Sequence, residues 1–229
     1  MNYDKTLLDK IYKLYASEKI GYCSLCNQCK IESLKKGKQL INGPVPAYHI
    51  GKDYDLNEKR LLIVGMVAYG WQDIISDFNQ VWSQVFADNQ NTINELQKSV
   101  EERVQEIFYE GESKYFSFIK YALTEIYGDI HKAYNSVAIT NFVHCNTGSI
   151  RDDLPQVARN YCIDIDKNGF IHKEIELLNP THILVLSKNW NYLRFMTSSN
   201  WKFKSIKHPS APGRSKIEFH KEIQQFLYE

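Results

Sequence analysis

Short apolar runs separated by helix-patterned sequence place the strongest limit on how this chain can fold. Leu61-Leu62-Ile63-Val64 is unbroken and meets Gly65, and residues 181–187 (THILVLS) read the same way. Residues 136–143 (SVAITNFV) form another such run, and 203–207 a shorter fourth. Runs this short, without polar alternation, suit strands covered on both faces. Between them the period changes to that of helices. Leu7, Ile11 and Leu14 share a face within 4–19, and Ile74, Phe78, Val81 and Val85 share one after Trp71. Thr92 and Glu95 read as a capping box opening a helix over 92–110, with Leu96, Val100, Val104 and Ile107 as its stripe and Gly111 as its stop. Further helices are expected over 114–127 (ended by Gly128), 152–162 and 170–178 (ended by Asn179-Pro180). A last one opens at Ser215 and Glu218, with Ile217, Ile223 and Phe226 or Leu227 facing inward.

Strands alternating with helices imply an α/β fold: three layers, α/β/α, around a central, mostly parallel four-stranded sheet. At 229 residues the whole chain, 1–229, fits one domain, with a helical insertion at about 86–135. Ligands of such sheets bind beyond the carboxyl ends of the strands. Segments following those ends are therefore where chemistry is expected.

A formal net charge of +1 means that any affinity for nucleic acid must come from a local basic face. No stretch is long and apolar enough for a membrane helix, and the first residues, MNYDKTLLDK, lack the apolar core of a secretion signal. The expected compartment is the cytoplasm, and the expected state a monomer. In a reducing compartment five cysteines point to metal binding or burial rather than disulfides. Three of them, Cys23, Cys26 and Cys29, fall within seven residues, a density that core packing does not require. Cys145 follows a strand and Cys162 ends an expected helix. Two early and two late thiolates can complete an all-cysteine tetrahedral site for zinc or an iron–sulfur cluster.

The order of these features resembles the iron–sulfur-containing family 4 branch of the uracil-DNA glycosylase superfamily. Cys26-Asn27-Gln28-Cys29-Lys30-Ile31 is similar to that family's C-x-x-C-[RK]-[LI] segment. Asn141-Phe142-Val143-His144-Cys145 is similar to its N-x-x-K-C strand end, with Cys162 suitably placed beyond. A helix through Asn179-Pro180 leads into His182-Ile183-Leu184-Val185-Leu186, and His208-Pro209-Ser210 matches its H-P-S motif, with Arg214 shortly after. The resemblance covers most of the chain outside the insertion. It implies a uracil-DNA glycosylase-like fold, DNA as partner and a structural 4Fe–4S cluster held by Cys26, Cys29, Cys145 and Cys162. Because C-x2-C-x2-C admits two registers, Cys23 is an alternative to Cys29.

Hydrolysis of an N-glycosidic bond leaves positive charge on the sugar and negative charge on the departing base. A site for it needs a donor to the base, groups that read its edge and a means of directing water. His208 is placed to donate to a base carbonyl, and Asn141 offers an amide that can read a Watson–Crick edge. Both also have ordinary readings: His-Pro as a turn and a strand-end Asn as a backbone cap. Tyr69, Trp71 or Phe142 can stack on a flipped base. Residues 210–216 (SAPGRSK) would form a wedge loop, with Ser210, Arg214 and Lys216 toward DNA phosphates.

The first loop departs from the family. Gly65-Met66-Val67-Ala68-Tyr69-Gly70 has Met66 where family 4 carries Glu, and Val67 where the G-Q-D-P-Y branch carries its water-activating Asp. Tyr69 matches the tyrosine of that second pattern. Asp73 is the nearest carboxylate and a candidate catalytic residue, although a helix N-cap is its commoner role. His49 is an outlying candidate. The implied activity is a DNA glycosylase acting on a base other than plain uracil, a modified or damaged pyrimidine. Base-excision repair, or defence against phages with modified DNA, would follow. The alternatives are a catalytically inactive iron–sulfur DNA-binding protein of the same fold and a zinc-stabilised α/β protein unrelated to DNA.

Overall fold

The computed structural model describes residues 5–18, 26–37, 49–67, 90–110, 113–144, 156, 162, 169–187 and 200–229. Among them the chain is α/β, built on a five-stranded mixed sheet. The strands are β1 (His49–Ile50), β2 (Leu61–Val67), β3 (Val137–Val143), β4 (His182–Val185) and β5 (Lys202–Ser205), in the order β1-β3-β2-β4-β5. The helices are α1 (Lys5–Glu18), α2 (Cys26–Lys35), α3 (Gln90–Glu110), α4 (Lys114–Tyr127), α5 (Ile130–Ser136), α6 (Phe170–Leu178) and α7 (Lys216–Tyr228).

The expected parallel core is present: β3, β2, β4 and β5 run parallel to their neighbours. The expectation of four strands needs correcting, because β1 adds a fifth, antiparallel to β3, with His49 opposite Ile139 and Ile50 opposite Ala138. A two-residue strand carries no periodicity to read. What holds it is a close approach: a β-carbon at Gly51 would run into the backbone of Tyr134 and Asn135, and the Gly51 N–H donates to the Val137 carbonyl at 2.9 Å. Glycine is the residue that permits this pairing.

The apolar runs are strands for the expected reason. Leu61 through Val64, Val137, Ala138 and Ile183 through Leu186 are all buried in one core. α1 packs on α6, where the Tyr15 and Phe170 rings lie 5.0 Å apart, and α4 packs on α7 through Phe118 and Phe219 at 5.8 Å. Three helix ends follow sequence chemistry closely. Gly128 ends α4 at φ 89° and Asn179 ends α6 at φ 43°, both left-handed, where a residue without a β-carbon or with a short amide is least strained. Ser215 caps α7 in a reciprocal box with Glu218.

Two local readings are overturned. α3 begins at Gln90, so Thr92 is inside the helix and not its cap. Ile217 does not face inward but is 57% exposed, because it lies in the first turn of α7, ahead of the buried Phe219, Ile223, Phe226 and Leu227. The described residues between β2 and β3 include the helices expected near 92–110 and 114–127, as α3 and α4, and add α5. The expected helices after Trp71 and over 152–162 lie outside the described residues, apart from Gln156 and Cys162.

Candidate functional site

At the carboxyl ends of β2 and β3 the parallel register sets Gly65 beside Asn141. A β-carbon at 65 would collide with the Asn141 carboxamide and come within 3.2 Å of the Tyr115 hydroxyl. Gly65 therefore leaves room for two polar side chains to approach one point, one from β3 and one from the first turn of α4. The turn before α4 is fixed by Ser113, whose hydroxyl accepts the Phe116 N–H at 3.1 Å.

The Tyr115 ring in turn lies over the imidazole of His208, with centroids 5.4 Å apart and planes 28° from parallel. His208 follows β5 and opens a tight turn in which the Ala211 N–H donates to the His208 carbonyl at 3.0 Å. Inside that turn the Ser210 N–H donates to His208 Nδ1 at 3.1 Å. A backbone N–H can only donate, so Nδ1 is an acceptor and the neutral ring carries its proton on Nε2. The fold thus makes His208 an Nε2–H donor. Asn141 and His208, far apart in sequence, are joined through Tyr115. Tyr115 carries no motif; within the 114–127 helix it reads as an ordinary aromatic, and only its tertiary position marks it. Burial raises the pKa of its phenol, so it remains protonated.

The other expected site residues are distributed as follows. Met66 is half-buried against the core, and Phe142 is fully buried within it. Val67 ends β2, and its side chain is outside the described set. Tyr69, Trp71 and Asp73 lie outside the described residues, so the water-activating question rests on a segment without a described position. Ser210 works through its backbone, holding His208. Lys216 is exposed at the start of α7. Arg214 departs from its expected role. Its side chain is 5% exposed and makes a two-pronged ion pair with Glu222, Nη1 to Oε1 at 3.0 Å and Nη2 to Oε2 at 2.5 Å. The guanidinium also lies 5.4 Å from the Phe219 ring. These contacts tie the 210–216 loop to α7, and they leave Lys216, not Arg214, as the cation turned to solvent.

The early and late cysteines have partial positions. Cys26 opens α2, Cys29 is half-buried against the core and Cys162 is buried. Cys23 and Cys145 lie outside the described residues. Among the described residues no group of three or more His, Cys, Asp or Glu is placed to hold a metal ion. Of the four expected ligands, only Cys29 and Cys162 have described side chains. Cys162 has a described neighbourhood on α1. Cys162 is close enough to Tyr15 to help raise the pKa of that phenol, and Tyr15 Oη is 3.1 Å from Nδ1 of His144, the residue before Cys145. Tyr15 on α1 thus lies beside both Cys162 and the end of β3.

Beneath that meeting point is a closed polar network. His144 Nε2 lies 3.0 Å from Glu174 Oε2, and both Tyr15 and Thr140 donate to Glu174 Oε1, at 3.5 and 3.3 Å. All four side chains are buried. Burial raises the pKa of Glu174 and lowers that of His144, favouring a neutral pair. A protonated Glu174 donating to His144 Nε2, with His144 Nδ1–H donating to Tyr15, satisfies every group in the ring.

His49 belongs to a different cluster, away from Asn141 and His208. Its Nε2–H donates to the Tyr134 carbonyl at 2.5 Å, and its Nδ1 is 4.0 Å from Glu101 Oε2. Glu101 accepts from Tyr134 Oη at 2.8 Å and Gln105 at 2.7 Å. Burial lowers the pKa of His49 to about 4. This cluster fastens α3 to β1 and α5, and it accounts for His49 structurally.

At the chemical level, the carboxyl end of the sheet presents an amide and a phenol beside Gly65, with an imidazole Nε2–H donor stacked on the phenol ring. That set can hydrogen-bond a planar heterocycle and donate to an oxygen that gains negative charge. No protein-family model matches the chain, and no curated protein matches it either.

Proposed function

We propose that this protein is a DNA glycosylase that hydrolyses the N-glycosidic bond of a flipped-out base, a modified or damaged pyrimidine, leaving an abasic site. The observation that supports the reading is that Asn141 and His208 each neighbour Tyr115 at the carboxyl end of the parallel sheet. These two residues are also the ones named by the resemblance to iron–sulfur uracil-DNA glycosylases. The sheet and its helices are compatible with the three-layer fold of that superfamily, in a single domain carrying α3, α4 and α5 as an insertion. No helix among the described residues is long and apolar enough to cross a membrane. A cytoplasmic monomer acting on DNA is the state we assign.

In this reading Asn141 pairs with the edge of the extruded base. As the glycosidic bond breaks, its electron pair moves onto the base, and His208 Nε2–H donates to the base oxygen where that charge collects. A neutral imidazole suits the task, because a donor fixed before the reaction needs no rearrangement during it. Water then adds to the sugar cation, which the neighbouring phosphates stabilise. Asp73 is the candidate for directing that water. Cys26, Cys29, Cys145 and Cys162 are assigned to a 4Fe–4S cluster, whose part is structural: it ties α1 and α2 to the segment following β3. Lys216 and the 210–216 loop face the DNA backbone.

Met66 and Val67 supply no carboxylate, which favours a second reading: a DNA-binding protein of the same fold without chemistry. One experiment separates the two. Duplex and single-stranded oligonucleotides carrying a panel of normal, oxidised and 5-substituted pyrimidines are incubated with the protein, then treated with alkali to cleave abasic sites. Cleavage at any one base supports the glycosylase. Tight binding without cleavage across the panel supports the second reading, and neither outcome would leave an α/β protein unrelated to DNA.

A further inference from the structure

We infer that Tyr115 is a specificity-determining residue whose hydroxyl pairs with an oxygen-bearing substituent of the bound base, so that the helical segment between β2 and β3 selects the substrate. The inference rests on the glycosylase reading for the identity of the ligand as a base. Its structural grounds are independent of that reading.

Three observations carry it. Tyr115 reaches the carboxyl end of the sheet from α4, an element that neither Asn141 nor His208 belongs to, and its hydroxyl stands over Gly65 beside the Asn141 carboxamide. Its ring lies against His208 while its hydroxyl is beside Asn141, so the phenol stands between the imidazole and the amide. Among the described residues neither the Tyr115 hydroxyl nor the Asn141 carboxamide makes a hydrogen bond. The Tyr115 side chain is half-buried at the end of the sheet, and its hydroxyl keeps its hydrogen-bonding capacity for a ligand. Both groups therefore await hydrogen bonds that the described protein does not supply. In this reading Asn141 and His208 take up the edge and carbonyl oxygen common to the pyrimidines, so the phenol's partner is a further oxygen, which a hydroxyl-bearing substituent supplies and a methyl group does not. Sites that hydrogen-bond a ligand hydroxyl reject ligands that lack it far more strongly than apolar pockets reject an extra methylene.

The test uses the full-length protein, wild type and Tyr115→Phe, which keeps the ring and removes only the hydroxyl. Two probes that differ by one oxygen are compared, 5-hydroxymethyluracil and thymine. They are offered as duplex substrates for excision and as free deoxynucleosides for binding followed by NMR. Wild type should prefer the hydroxymethyl probe, and Tyr115→Phe should reduce that preference about ten- to hundredfold, the scale of one lost buried hydrogen bond. The His208 imidazole signals should stay in place, since the stacked ring remains. Equal weakening of both probes, or an unchanged preference, would overturn the assignment. If neither probe is excised but the nucleosides bind with the expected loss in Tyr115→Phe, the residue's role stands and the glycosylase reading fails.

Discussion

His144 Nε2 and Glu174 Oε2 lie 3.0 Å apart with both side chains buried, directly before the position of Cys145. The pair bridges the carboxyl end of β3 to α6, and Tyr15 brings α1 into the same ring of hydrogen bonds. The pair therefore joins α1, β3 and α6 through one buried network. Glu174→Ala should leave His144, Tyr15 and Thr140 short of a partner and cost about 3 kcal/mol of stability. Glu174→Gln should stay within about 1 kcal/mol of wild type, because an amide can donate to His144 and accept from Tyr15 as a neutral carboxyl does. Chemical denaturation at neutral pH measures both. A large loss in Glu174→Gln would mean that the pair is ionic.

The His49 cluster gives a pH dependence with a definite sign. Its folded-state pKa is lowered from 6.5 to about 4 by burial. Between these values the unfolded chain binds the proton and the folded chain does not, so stability is complete above pH 6.5 and falls as pH drops toward 4. The loss from this one group is on the order of 3 kcal/mol. Glu101, facing it, has a raised pKa through burial and contributes the opposite slope. Comparing wild type with His49→Gln, which retains a donor for the Tyr134 carbonyl, isolates the histidine. The variant's denaturation midpoint should fall less between these pH limits, and parallel curves would refute the assignment.

Arg214 and Lys216 should behave differently, although both lie in one basic stretch. Lys216→Ala should weaken DNA binding to all sequences alike and lower the salt slope by about one, since it removes one phosphate neutralisation. Arg214→Ala should lower thermal stability as Glu222→Gln does, because each breaks the same ion pair. A double substitution no worse than either single one would confirm their shared role. Binding isotherms at several salt concentrations and melting curves separate the two residues.

The iron–sulfur assignment predicts brown protein after anaerobic purification, with broad absorption at roughly 400 nm and about four irons per chain. Cys145→Ala or Cys162→Ala should bleach it and destabilise the fold, while Cys23→Ala should be tolerated. Stoichiometric zinc in place of iron would refute the cluster. Bleaching by Cys23→Ala but not by Cys29→Ala would move the register by one cysteine.

What the sequence revealed and what it hid follow physical lines. Strands buried on both faces announce themselves as apolar runs, so β2, β3 and β4 were legible, and Gly128, Asn179 and Ser215 marked helix ends because their backbone or side-chain chemistry is local. Nothing local marks a strand of two residues, so β1 depended on a close approach at Gly51 that only the folded chain creates. Ile217 followed the apolar pattern of α7 but precedes the part of the helix that packs. Asn141 and His208 were legible as strand-end polar residues. The partner of Arg214 lay eight residues on, across two turns of helix, and Tyr115 had no signal beyond being aromatic.

The chemistry of His208 and Asn141 separates most clearly by rate and selectivity. In the proposed reaction, His208 donates to charge that exists only as the glycosidic bond breaks. His208→Ala should therefore cost about 10²–10³ in single-turnover excision, the scale for removing one such donor, and leave binding to undamaged DNA nearly unchanged. In the same proposal Asn141 pairs with the base before and during the reaction, so Asn141→Ala should lose rate and also discriminate less among bases. Gly65→Ala should resemble Asn141→Ala, because the added methyl collides with the Asn141 carboxamide while the strand itself remains. Asp73→Asn completes the set: near-normal activity in a folded protein identifies a helix cap, and a large loss identifies the residue that directs water. The first outcome is expected, since Asp73 falls outside the loop that carries the carboxylate in the families this chain resembles. Wild-type excision by His208→Ala would remove the site assignment, and the convergence of Asn141, Tyr115 and His208 would then need another ligand.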